Sequence, residues 1–206
     1  MNNTENKKIN TDLLIEHFGQ SIMNMLPRYV KRGVISKNEL TLEVDPKAIH
    51  IVLLLLNKHT NCQFKSLIDM TAVDYPSKKD RFEVHYMLLT VLYNNRIKIK
   101  TRVNELKPLK SATSIYKSAG WMERETWDMF GVYFYDHPDL RRILTDYGFQ
   151  GYPLRKDFPL SGYTEVRYDD TLKRVISEPV EITQEYRYFD FVSPWESSDI
   201  TTKIIK

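Results

Sequence analysis

RFEVHYMLLTVLYNNRIKIKTRV, Arg81 to Val103, decides the fold class. Phe82, Val84, Tyr86 and Leu88 alternate with Glu83, His85 and Met87. Successive side chains of a strand point to opposite faces, so this segment has one apolar and one wet face. Asn94-Asn95 suits a tight turn. The alternation then resumes, with Ile97, Ile99 and Val103 on one side and lysines on the other. The stretch reads as an antiparallel hairpin whose apolar face needs a cover.

The flanking segments supply it. Upstream, QFKSLIDMTAVDYP begins as a buried extended segment and ends in a turn at Tyr75-Pro76-Ser77. In ELTLEV, Leu40, Leu42 and Val44 alternate with Glu39, Thr41 and Glu43, a half-buried strand. Asp45-Pro46 offers an N-cap and a first-turn proline to a helix holding Ile49, Val52, Leu53 and Leu56. Further back, Leu14, Phe18, Ile22 and Met25 or Leu26 recur at helical spacing, with Asn10 or Thr11 as cap and Pro27 as stop. Residues 1–9 read as a flexible polar tail. Downstream, SIYKSAGWMERETWDMF is helical, and Gly131 stands where a C′ glycine belongs. Residues 10–130 therefore form an α+β domain of two layers, a mixed, largely antiparallel sheet with helices on one face. Residues 131–206 read as a long extended C-terminal arm.

At 206 residues the chain is one domain, or one domain with an appendage. Thirty basic residues against 27 acidic ones leave a net charge of +3, weak evidence for a polyanionic partner. The single cysteine, Cys62, rules out an intrachain disulfide and a cysteine-built metal or iron–sulfur site, and points to a reducing compartment. Cys62 itself reads as a small buried residue. The longest apolar run, Ile49 to Leu56, is too short to cross a bilayer. MNNTENKKIN has no apolar h-region, carries Glu5 and lacks arginine, so it resembles neither a secretory signal nor an organellar presequence. The expectation is a protein made where it works.

Beyond Gly131 the pattern changes. Eight of the 13 tyrosines lie there, and hydrophobic periodicity is lost. Disordered chains lack aromatics, so this segment is expected to bury its rings on its own domain and on a partner protein. Arg141, Arg142, Arg155, Lys156 and Arg167 interleave with Tyr147, Phe149, Tyr152, Phe158 and Tyr163. That mixture can grip single-stranded nucleic acid. Asp139, Asp146, Asp157, Glu165 and Asp169 nearly neutralise it, which favours Arg–carboxylate pairing across a protein interface.

The helix ERETWDMF joins charge to aromatics. Arg124 stands four residues before Asp128, an i,i+4 pair, and Trp127 is an anchor of the kind found at interface hot spots. Glu123 and Asp128 are an acid–base candidate, with His137 as a third member. The plainer reading is a salt-bridged helix face on which Arg124 keeps both carboxylates ionised. The five histidines are scattered, with none at i,i+4, and His137 between Asp136 and Asp139 suits a turn better than a metal. No glycine-rich phosphate loop and no nucleophile elbow occurs. The residues describe an assembly subunit rather than a catalyst.

Glu123 to Asp169, ERETWDMFGVYFYDHPDLRRILTDYGFQGYPLRKDFPLSGYTEVRYD, resembles the signature of the thirty-kilodalton subunit family of respiratory complex I. LIDMTAVDYP, from Leu67, and EPVEITQEYRYFDFVSPWE, from Glu178, are similar to other segments of that family. The resemblance implies a subunit with no redox centre of its own, which binds no cofactor. It would dock on the large (49 kDa) quinone-site subunit and neighbouring iron–sulfur subunits, without binding nucleic acid or spanning the membrane. The complex would use FMN, iron–sulfur clusters, NADH and ubiquinone, on the matrix side of the mitochondrial inner membrane or its bacterial equivalent. The family motif falls on Glu123, Arg124, Glu125, Asp128, His137, Pro138, Leu140, Arg142, Gly151, Pro153, Leu154, Arg155, Lys156, Asp157 and Pro159, where the implied role is to fix the path of the arm. The expected partner-binding set is Glu123, Arg124, Trp127, Asp128, His137, Asp139, Arg141, Arg142, Tyr147, Phe149, Arg155, Lys156, Asp157, Phe158, Arg167, Tyr168 and Trp195.

Overall fold

The computed structural model describes residues 2–189 and 202–205. Helix α1 (Asn2–Met25) leads into strands β1 (Val30–Ser36) and β2 (Glu39–Val44). Helix α2 (Ile49–Lys58), strand β3 (Ser66–Asp74) and the hairpin β4 (Phe82–Thr90) and β5 (Asn95–Val103) follow. Then come β6 (Leu109–Lys110), α3 (Ala119–Phe130) and β7 (Phe134–Tyr135). Strands β8 (Thr164–Asp169), β9 (Arg174–Pro179) and β10 (Thr202–Ile205) complete the order. Six strands form one sheet in the order β10-β1-β2-β5-β4-β3. Its neighbours are antiparallel except β2 and β5, so the sheet is mixed and largely antiparallel.

One face of the sheet makes the core. Leu40, Leu42, Phe82, Val84, Tyr86, Leu88, Ile97 and Ile99 are buried there against Ile49, Val52, Leu53 and Leu56 of α2 and Ile22 of α1. The opposite face is covered by its own ions. Glu83 accepts from Lys100 at 3.0 Å and Arg102 at 2.8 Å, and Arg32 pairs with Glu43 at 2.6 Å. Arg102 is directly opposite Glu83 across the β4–β5 ladder, where opposite charges attract. Burial opposes the Glu83 charge, but Arg102 and Lys100 outweigh it and hold the carboxyl below its ordinary range.

Several elements differ from the sequence reading. The backbone is helical from Asn2, so no cap at Asn10 or Thr11 begins α1 and no break sets off residues 2–9. Its buried stripe is Ile15, Ile22 and Leu26 with Phe18 half-buried, whereas Leu14 and Met25 are exposed. Phe18, Ile22 and Leu26 lie inward as expected, and Ile15 rather than Leu14 heads the stripe. Asp45 makes no side-chain cap; its carbonyl accepts the Ala48 amide at 2.9 Å in a short 3-10 turn that leads into α2. The C-terminal region follows as expected after Gly131, with local strand pairing along it. It contains the β8–β9 ribbon, and β10 returns to the sheet as its edge beside β1.

Candidate functional site

Helix α3 packs on β3 and positions the start of the arm. It ends at Gly131, whose left-handed φ of 79° lets its amide bond the Trp127 carbonyl at 2.9 Å. A Cβ there would lie 2.6 Å from the Arg155 guanidinium and 2.7 Å from the Tyr152 ring. Glycine is needed for the turn and again for the close approach of the returning chain.

Two α3 side chains then hold the next loop. Arg124 donates to the carbonyls of Arg141 at 3.1 Å and Arg142 at 3.4 Å. Oδ2 of Asp128 accepts the successive amides of Ile143, Leu144 and Thr145 at 3.1, 2.8 and 3.0 Å. Its Oδ1 accepts the Thr145 hydroxyl at 2.7 Å and a longer bond from Arg142 at 3.4 Å. Burial opposes the Asp128 charge, but the Thr145 hydroxyl and the three amides hold the carboxyl below its usual range. The expected i,i+4 pair of Arg124 with Asp128 is replaced by these bonds, because both side chains have backbone partners across the turn.

A second anchor fixes residues 155–157. Arg155 donates from Nε to the Phe130 carbonyl at 2.7 Å and from Nη1 to Glu105 at 3.1 Å, and stacks over Tyr152 at 4.5 Å. Asp74 accepts the Lys156 amide at 2.8 Å and both Nε and Nη2 of Arg81 at 2.6 and 2.8 Å. Arg81 also reaches Asp157 at 2.9 Å and Glu105 at 3.0 Å. The Arg81 guanidinium holds Asp74 well below the usual carboxylate range. Sequence reading missed Asp74, Arg81 and Glu105. Asp74 did carry a signal, since it occupies the inward phase of Met70 and Ala72, where a carboxylate needs a partner.

Glu123 is fully buried and accepts from the Ser111 hydroxyl at 2.6 Å and the Ala112 amide at 2.7 Å. Burial pushes its carboxyl up to about 7, against those two bonds. Arg124 therefore does not keep it ionised, which corrects the sequence reading. His137 Nε2 lies 3.9 Å away and 3.1 Å from the Gly120 carbonyl, while Nδ1 accepts the Asp139 amide at 3.0 Å. Glu123 and His137 meet, but Asp128 faces the 143–145 loop, so the three do not converge on a cleft.

The remaining expected residues divide. Trp127 makes edge contacts with Tyr133 at 5.9 Å and Tyr152 at 5.8 Å. Phe158 packs between Phe149 at 5.9 Å and Tyr163 at 5.5 Å. Asp139 and Arg141 pair with each other on the surface, and Arg167 pairs with Glu178 within the β8–β9 ribbon. Tyr147 and Tyr168 are exposed. Trp195 lies outside the described residues. Arg141, Arg142, Arg155 and Arg167 each have a carboxylate partner, which leaves little free charge for a phosphate backbone.

A model of the family described as respiratory-chain NADH dehydrogenase, 30 Kd subunit, matches residues 42–164. NADH-ubiquinone oxidoreductase subunit 9 of Reclinomonas americana is 56% identical over 200 residues, covering 97% of this chain and 98% of that protein. A Candida albicans protein named NADH dehydrogenase (ubiquinone) iron-sulfur protein 3, mitochondrial, is 53% identical over 197 residues, 95% of this chain and 70% of that one. Among solved structures, a chain of the membrane-bound sulfane sulfur reductase, an archaeal respiratory membrane complex, matches with a TM-score of 0.60 and 29% identity. The match covers 70% of this chain and 85% of that chain.

Proposed function

Because this chain belongs to the 30 kDa subunit family of respiratory-chain NADH dehydrogenase, we propose that its work is to build and brace the enzyme rather than to carry electrons. It is a subunit of NADH:ubiquinone oxidoreductase, a mitochondrial oxidoreductase complex, and its partners are other subunits of that complex. Its role is that of a non-redox core subunit of the peripheral arm, which stabilises the quinone-reducing module. The large quinone-site subunit and adjacent iron–sulfur subunits are its proposed neighbours, at the matrix face of the inner membrane. Among the described residues no helix is long and apolar enough to cross a membrane.

The observation that carries this reading is the double anchoring of the arm. Ionic groups that look available for chemistry are spent within the chain on fixing residues 141–157, at Asp128 and at Asp74–Arg81. Among the outward-facing side chains are rings and aliphatic groups, Tyr147, Leu160, Tyr163, Val166 and Tyr168, which suit a docking segment. The words iron-sulfur in a relative's name do not transfer to these residues. A cluster is held by about four thiolates, and here Cys62 is alone and buried, its Sγ 3.6 Å from His59. FMN, NADH, ubiquinone and the clusters would all be held by other subunits.

A native gel of detergent-solubilised host membranes, probed for this chain and stained for NADH oxidation, tests the reading. The chain is expected to migrate with a very large NADH-oxidising band. Arg155→Glu sets a carboxylate against Glu105 and the Phe130 carbonyl, and is expected to lower the amount of assembled complex several-fold while turnover per complex is kept. A variant that assembled to normal levels and lost activity would remove the structural role, and so would a free small species absent from the band.

A further inference from the structure

The β4–β5 hairpin ends in Val91, Leu92 and Tyr93, which are 78%, 74% and 52% exposed. Three consecutive uncovered apolar residues at a turn are normally avoided unless they meet something. This turn is also braced. The Tyr93 hydroxyl donates to the Thr60 carbonyl at 3.1 Å, Asn94 takes a left-handed φ of 46°, and the ladder closes directly below at Thr90 and Asn95. Side chains on a braced turn lose little freedom when they bind. Helix α2, which ends beside the tip, likewise leaves Ile51 and Leu54 partly uncovered.

The charge around the tip is mainly positive. No aspartate or glutamate occurs between Ala48 and Ile68, or between Val84 and Asn104. The cations Lys58 and Arg96 are exposed here, and Lys65 is bonded to the Asn57 carbonyl rather than to an acid. Glu39, one step beyond the Leu40–Ile97 pair, is taken by Lys98. The anchor of the arm lies at the other end of β4, so the two surfaces are separated by the nine-residue length of that strand, roughly 30 Å.

We propose that Val91, Leu92 and Tyr93 form a docking knob that seats in an apolar hollow with an acidic rim on a second partner protein. Apolar anchors supply the affinity, and the Lys58 and Arg96 rim sets the orientation. A protein hollow suits this tip better than an anionic membrane. Two protruding aliphatic side chains fill a pocket but offer a bilayer little area, and the polar side chains of Asn94 and Asn95 flank them. The chain then bridges two partners from opposite ends of one sheet.

Leu92→Cys is the probe, since Cys62 is 1% exposed and contributes little background. Maleimide labelling is carried out on the native detergent extract and on the same extract after dissociation. At least tenfold slower labelling in the native extract is expected, with faster labelling once Arg96→Glu is added. A photoreactive group at position 92 is expected to give a protein adduct. Equal labelling in both extracts overturns the proposal, and so does an adduct with lipid. The labelling reports the tip in whatever assembly holds the chain, so its failure is distinct from a failure of the subunit reading, which the native gel reports.

Discussion

Glu123 sits where a carboxylate is costly, with no exposed surface and no cation in hydrogen-bond contact. Its folded carboxyl titrates near 7 against an ordinary value of 4.5, so the native state holds this proton more tightly than the unfolded chain. Between about 4.5 and 7 the native state binds more protons, and stability falls as pH rises; below that window the penalty is absent. Glu123→Gln keeps an acceptor for the Ala112 amide and removes the titration. The variant is expected to gain on the parent across that window, by up to roughly 3 kcal/mol at pH 7 and above. Denaturant melts of the assembled and isolated chain at pH 5, 6 and 7.5 check this; parallel curves for parent and variant would mean that Glu123 is ionised throughout. The sequence located this residue but misjudged its charge state, because Ser111 and Ala112, which face it, stand in a loop with no periodic pattern.

At the scale of elements, strands with one buried face could be read and strands without one could not. β2, β4 and β5 alternate cleanly because the core demands it. β1 escaped notice because its register shifts between Val30 and Arg32, which breaks the period of two beside a glycine. β8 and β9 are exposed along nearly their whole length, so no core selects their pattern. Residues 141–157 have no period because side chains of α3 and β3 together with turn carbonyls, rather than a ladder, satisfy their amides. Asp128→Ala tests that statement. It removes one acceptor for three amides and a hydroxyl, and is expected to cost roughly 3 kcal/mol of local stability. Limited trypsin digestion should then cut at Arg141 and Arg142 at least tenfold faster. Asp128→Asn, which retains an acceptor oxygen, should fall between; unchanged cleavage in both would show that the loop is held elsewhere.

For the whole molecule, the sheet has two edges with different protection. α3 packs on β3, while β1 is covered by the four residues of β10, at Gly33 to Ser36. A chain ending before Thr202 would present β1 as an open edge, a template for pairing with another molecule. Such a chain is expected to keep its helical and sheet content and to associate with rising concentration in sedimentation velocity, whereas the intact chain does not. A truncated chain that sedimented like the parent at every concentration would deny β10 that protective role.

That last strand also sets a timetable. β1 ends at Ser36 and β10 begins at Thr202, so every element between them must emerge from the ribosome before the two can pair. Gly33 pairs with Ile205, a far greater sequence separation than in any other pairing of this sheet, and such pairings form late. The rest of the sheet can close from β1 to β5 during synthesis, yet its outer margin stays unmatched until β10 has been made. A chaperone or a waiting subunit that recognised a bare strand would find this one available only in newborn chains, and the molecule withdraws that signal itself when β10 folds home.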